Sequence, residues 1–87
     1  MKFIGVPGKV IEEIGPITEI DKGFFGGVER LYVLWVENNG KNQVILYRIT
    51  RALLGASCTW TTIPLESLPR LCEAVDKMRE RYDSLAI

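Results

Sequence analysis

The sequence predicts an α+β fold: an antiparallel sheet of three to four strands packed by a long C-terminal helix and a short N-terminal helix. Two segments rich in β-branched and aromatic residues flank an Asn-Gly pair, which is the strongest short signal for a hairpin. Beyond Pro64, apolar residues recur at helical spacing. The chain has 87 residues, the length of a single domain.

Glycines and prolines punctuate the first part of the chain, and we assign residues 1–22 to an N-terminal helical or loop segment. Pro7 to Ile14 can form a short helix with proline in its first turn. In that helix Val10, Ile11 and Ile14 would share one apolar face.

The sheet is predicted within residues 23–63. Its central hairpin joins Val28–Glu37 to Gln43–Thr50 through the Asn-Gly pair, whose residues both adopt positive φ in a type I′ turn. That turn places Tyr32 opposite Tyr47. A further strand is predicted over Ala56–Ile63, where threonines surround a tryptophan.

Residues 64–84 are predicted to hold the C-terminal helix, with the regular part running from about Leu65 to Tyr82. Ser67 can cap this helix, and Pro69 is tolerated in its first turn. The stripe of apolar residues on it predicts packing against the sheet. Its members are Leu68, Leu71, Cys72, Val75, Met78 and Tyr82.

The two faces of the predicted hairpin differ in composition. One is nearly all aliphatic, and we assign it to the core beneath the helix. Its main residues are Leu31, Val33, Trp35, Val44 and Leu46. The other face is also apolar but carries two tyrosines and an arginine at the end of each strand. Since a face in water is normally polar, the N-terminal segment, another subunit or a ligand must cover it.

Aromatic side chains beside arginines on a sheet are typical of surfaces that bind single-stranded nucleic acid, where bases stack on the rings and arginines hold phosphates. The chain has no net charge, but residues 30–60 carry four basic residues against one acidic residue. The candidate nucleic-acid-binding residues are Phe24, Phe25, Arg30, Tyr32, Lys41, Tyr47, Arg48, Arg51 and Trp60.

A purely structural interpretation of the same residues stays open. Tyr32 and Tyr47 can be a cross-strand pair that only stabilises the sheet, and Trp60 can be a core residue. Phe24 and Phe25 lie in a glycine-flanked loop, where one ring can clamp a ligand or both can close the core and the sheet edge.

The composition argues against several classes of protein. The chain has no histidine, which removes the commonest general base and most zinc sites. We therefore expect no enzyme, catalytic residue, metal, cofactor or small-molecule substrate. No apolar run approaches the roughly 20 residues that cross a bilayer, so no membrane partner is expected. Cys58 and Cys72 lack disulfide-scaffold spacing, which favours buried thiols in a cytoplasmic protein.

The chain order is a strand, Asn-Asn-Gly-Lys, a strand, a Thr-Trp-Thr-Thr strand, and Ile-Pro-Leu-Glu-Ser-Leu-Pro before the helix. Over residues 23–82 this order resembles the single-stranded DNA-binding proteins of the ThermoDBP-related type and the p15 transcriptional coactivator, Pur and Whirly group. It departs from the coactivator pattern at Thr61-Thr62-Ile63, where a lysine usually precedes the helix.

The resemblance implies a non-enzymatic homodimer that binds single-stranded DNA, or RNA, with little sequence preference. The matching positions would be Tyr32, Tyr47 and Trp60, with Phe24 or Phe25 and the neighbouring arginines. The alternative hypothesis is a protein-interaction or homo-oligomerisation module that uses the apolar sheet face as a subunit interface.

Overall fold

The structure is a computed structural model that describes residues 3–85. Four strands form one antiparallel sheet in the order β1-β2-β3-β4, and a helix follows the last strand. The elements are β1 (Lys9–Asp21), the single helical turn α1 (Gly23–Gly26), β2 (Val28–Asn38), β3 (Lys41–Ala52), β4 (Gly55–Pro64), a 3-10 turn (Leu65–Ser67) and α2 (Leu68–Leu85). The predicted α+β class is confirmed.

The central hairpin has the predicted register. Asn39 and Gly40 both adopt positive φ, at 53° and 78°, as a type I′ turn requires. Tyr32 consequently lies opposite Tyr47. The tryptophan-containing strand, β4, pairs with β3 and places Trp60 beside Tyr47.

The N-terminal segment is a strand, so the predicted short N-terminal helix over Pro7–Ile14 is wrong. β1 is the edge strand beside β2, and its register shifts between Ile14 and Thr18. Proline is tolerated at such an edge irregularity, where its missing N–H breaks no ladder. Six of the 13 residues of β1 are β-branched, four of them isoleucines, and β-branched side chains favour strands over helices.

The core lies on the opposite face of the sheet from the predicted one. We call this the covered face, because residues 3–8, the N-terminal arm, lie across it. Its buried residues are Tyr32, Leu34, Val36, Ile45 and Tyr47, together with Phe3 of the arm. Of the three covers predicted for this face, the N-terminal segment is the one observed. The aliphatic face, which we call the open face, was wrongly assigned to the core.

Helix α2 makes no extensive contact with the strands over the described residues. The Cα atoms have a radius of gyration of 15.4 Å and extents of 42 × 41 × 15 Å. A compact domain of this length has a radius of gyration of about 12 Å. The chain is thus a single twisted layer with a protruding helix. Cys72 on this helix is exposed and Cys58 is half-buried, so the predicted burial of Cys72 is wrong.

Candidate functional site

Three predicted site residues form one row across the covered face. Tyr32, Tyr47 and Trp60 are register partners on β2, β3 and β4, and we call them the aromatic row. The Tyr47 and Trp60 rings are nearly parallel, with centroids 6.2 Å apart and planes inclined by 15°. Phe3 of the arm meets both tyrosines edge-on, at 5.3 Å from Tyr32 and 5.2 Å from Tyr47.

The backbone of the arm is tied to the same row. The Tyr47 hydroxyl donates a hydrogen bond to the Ile4 carbonyl at 3.2 Å, and the Cys58 thiol approaches the same oxygen at 3.7 Å. Burial of the phenol, with the neighbouring Cys58, raises the pKa of Tyr47 to about 12. The arm is therefore held by ring contacts and by donors that converge on one carbonyl.

This packing limits what the aromatic row can bind. Tyr47 is 1% exposed and Tyr32 is buried, so neither ring offers an open face to a base. Trp60 is 38% exposed, but one side of its ring stacks with Tyr47. Binding by base stacking on this row therefore requires the arm to leave.

The predicted basic and loop residues are spread over the molecule. Arg30 and Arg51 lie on the covered face, and Arg30 Nε donates to Glu19 at 3.0 Å. That hydrogen bond and the Glu19 charge raise the pKa of Arg30. Arg48 lies on the open face, where it bonds to Thr59. Lys41 lies beside the hairpin turn, at the far end of β3 from Arg51.

The predicted clamp residues do not touch the core. Phe24 and Phe25 are both largely exposed in α1, and their rings contact each other edge-on at 5.1 Å. Both rings are therefore accessible at one end of the sheet. Neither closes the core nor covers the aromatic row.

The open face is an apolar surface that nothing in residues 3–85 covers. Trp35 is 43% exposed, and its indole N–H donates to Asn42 at 3.0 Å. A shallow cavity of about 150 Å³ beside it is lined by Glu12, Ile14, Val33, Leu34, Trp35 and Val44. The remaining apolar residues of this face, Leu31 and Leu46, are half-buried.

A second uncovered apolar surface runs along α2. We call it the helix stripe, and it consists of Leu71, Val75, Met78, Tyr82 and Leu85, all of which are exposed. The opposite side of the helix is charged and includes an ion pair between Glu73 and Lys77, at 3.3 Å. The spacing of the stripe is as predicted, but the stripe has no partner among the described residues.

The sequence indicates the N-terminal segment only as one of three possible covers of the face that carries the tyrosines, and it does not assign Phe3 or Ile4 a contact there. Phe3 and Ile4 form a short apolar segment before Gly5, and this was the available signal. A short apolar segment followed by a glycine can fold over a nearby apolar face. The sequence pattern does not say which face that is.

The described residues contain no helix long and apolar enough to cross a membrane. They also contain no group of three or more cysteine or acidic side chains placed to hold a metal ion. Comparison of the chain with family models, with curated proteins and with solved structures finds no match. The resemblance to single-stranded DNA-binding proteins accordingly stays a prediction.

Proposed function

We propose that this chain is a homo-oligomerisation module in which the helix stripe of one copy packs on the open face of another. The observation that supports the proposal is the presence of two uncovered apolar surfaces, one on a helix and one on a sheet, in the described part of the same chain. A helix and a sheet each need an apolar partner layer to form a stable domain. Here each surface supplies what the other lacks.

The exposure of the helix stripe favours its packing against another apolar surface. An 18-residue helix without tertiary contacts is marginal in water, because most helix stability in proteins comes from packing of the apolar face. Charged residues occupy the other side of the same helix. The helix is therefore amphipathic, with one apolar face suited to an interface, and is not apolar all round. When the helix stripe of each copy packs on the open face of the other, the two contacts are identical and form a closed, symmetric dimer.

The free energy gained by burying the two helix stripes is of the same order as the cost of association. Fully burying one Val, Leu or Met side chain contributes about 1.5–3 kcal/mol. The stripe side chains are already partly covered by their own helix, so about 1 kcal/mol each is a fair value. Two stripes of five residues then contribute on the order of 10 kcal/mol, comparable to the association cost of about 4–15 kcal/mol. Burial of the two open faces adds to the gain.

The test is the mass in solution of the full chain and of a matched pair of variants, measured by light scattering after size exclusion. Val75→Asp places a carboxylate in the centre of the stripe. Ser84→Asp places the same group on the charged side of the same helix. We expect a dimer for the unmodified chain and for Ser84→Asp, and a monomer for Val75→Asp.

Two results would contradict this proposal. One is a monomeric unmodified chain across the accessible concentrations. The other is an equal mass for the two aspartate variants, since that would place the contact outside the stripe. Circular dichroism of each variant checks that the sheet is retained.

Single-stranded nucleic-acid binding is the second candidate. It is favoured by the alignment of the aromatic row with Arg30 and Arg51 on the same face. Because Phe3 occupies the row, this function requires the arm to be displaced. Cytoplasmic location and the absence of enzymatic activity stay predictions of the sequence.

The second candidate is tested by fluorescence anisotropy of a labelled single-stranded oligonucleotide at low salt. We expect Phe3→Ala to bind it more tightly than the unmodified chain, because the substitution frees the tyrosine rings. Absence of binding by both proteins would eliminate stacking on the aromatic row.

A further inference from the structure

A polar cavity of about 330 Å³ lies at one end of the open face, away from Trp35. The strand register brings Glu29, Thr50 and Ser57 into one line, and Arg48 beside Thr59 into the next. Lys22, just before α1, completes the rim. The full lining is Lys22, Glu29, Arg48, Thr50, Ser57, Cys58 and Thr59.

The acidic and basic side chains of this cavity lie at different depths. The Glu29 side chain is 13% exposed, whereas that of Arg48 is 54% exposed. Glu29 Oε1 accepts from Lys22 Nζ at 3.0 Å and lies 3.8 Å from Arg48 Nε. The carboxylate therefore lies at the bottom and the two cations at the mouth, and the lining has a formal charge of +1.

Several donors at the mouth have no protein partner among residues 3–85. Arg48 bonds to Thr59 Oγ1 through Nε, at 3.2 Å, and this leaves its two terminal nitrogens without a hydrogen bond. The hydroxyls of Thr50 and Ser57 also make no hydrogen bond to the described residues. A guanidinium fork with adjacent hydroxyls matches the geometry of an oxyanion.

We propose that this cavity binds a phosphate group. Arg48 supplies two parallel N–H donors, Thr50 and Ser57 supply hydroxyl donors, and Lys22 supplies a second positive charge. Glu29 orients both cations through its ion pairs and lowers the affinity through its charge. The phosphate can be a free phosphate ion or a phosphodiester of a nucleic acid, whose bases the exposed Phe24 and Phe25, next to Lys22, could stack.

The experiment is an NMR titration of the full chain with inorganic phosphate at constant ionic strength, following the amides of Thr50, Ser57 and Thr59. Three variants are compared. Arg48→Gln removes the fork, and we expect about tenfold weaker binding or more. Glu29→Gln removes the only negative charge of the lining and is expected to tighten binding. Arg70→Gln, the same change at an exposed arginine of α2 outside the helix stripe, is the matched control.

A parallel titration with a single-stranded oligonucleotide separates the two sources. Competition between phosphate and oligonucleotide for these amides assigns the site to a nucleic-acid phosphodiester. Saturable binding of phosphate alone assigns it to a free anion. No saturable shift at millimolar phosphate, or equal affinity of the Arg48→Gln and Arg70→Gln variants, would overturn the proposal. The readout is independent of the mass measurement that tests oligomerisation.

Discussion

Tyr47 links the N-terminal arm to the neighbouring strands β2 and β4. Its ring lies between Tyr32, Trp60 and Phe3, and its hydroxyl holds the Ile4 carbonyl. Burying a phenol favours the protonated form, since the anion loses its hydration. The residue therefore links packing of the arm to the ionisation of one group.

The raised pKa of Tyr47 predicts a loss of stability in alkali. The folded-state pKa is about 12 against the usual 10.0, so the stabilising contribution is present below pH 10 and is lost as the pH rises from 10 to 12. Urea unfolding across this range should show a falling free energy of unfolding. Tyr47→Phe should flatten this fall. An equal slope for Tyr47→Phe and the unmodified chain would contradict the prediction.

Leu34 tests the position of the core. It is fully buried on the covered face, so Leu34→Ala should lower the free energy of unfolding by about 2–5 kcal/mol. Leu54→Ala, at a side chain that is 96% exposed, should change it by less than about 0.5 kcal/mol. Denaturant titration measures both. Similar values for the two variants would contradict a core on the covered face.

At the scale of elements, the α1 turn joins β1 to β2 through a crowded glycine. Gly27 has φ of 76°, and a Cβ there would meet the Arg51 carbonyl. The peptide N–H of Lys22 also donates to the Gly27 carbonyl at 2.8 Å. Close backbone packing thus fixes the connection, and Phe24 and Phe25 lie exposed within it.

Gly23 is the first residue of α1 and Gly27 is its C-terminal cap. Alanine substitutions at these two positions distinguish the cost of backbone strain from the cost of steric crowding. Gly23 also has positive φ, 89°, but nothing lies within 4 Å of an added Cβ. Gly23→Ala should cost only the backbone strain, about 1–2 kcal/mol. Gly27→Ala should cost more, because the Arg51 strand must also move. Thermal unfolding of both variants gives the comparison, and a larger cost at Gly23 would contradict this account.

At the scale of the whole molecule, the fold is one layer with a core on one side only. The extents of 42 × 41 × 15 Å leave the open face and the helix stripe in water. The proposed exchange between two copies would convert this layer into the helix-on-sheet arrangement of an ordinary domain. It would bury Trp35 as well as the stripe.

Oligomerisation predicts a melting temperature that rises with protein concentration, because assembly stabilises the folded state by mass action. Calorimetry over a hundredfold range of concentration should show this rise for the unmodified chain. The Val75→Asp variant should melt at a temperature that does not depend on concentration. A constant melting temperature for both would count against the dimer.

The sequence determined the local features of this protein. The Asn-Gly turn and its period-2 flanks defined the hairpin register, down to Tyr32 opposite Tyr47, and the apolar spacing after Pro64 defined the helix. These features depend on turn geometry and side-chain alternation, which short segments carry in themselves. The α+β class followed from the same signals.

Only the tertiary structure decided which face of the sheet is the core and what the first residues do. Both hairpin faces are apolar, so alternation could not choose between them, and Val10 and Ile14 fit a helix and a strand alike. The choice depends on Phe3 reaching the tyrosines and on β1 pairing with β2, contacts between residues distant in sequence. Such contacts result from packing of the whole chain, which no local pattern encodes.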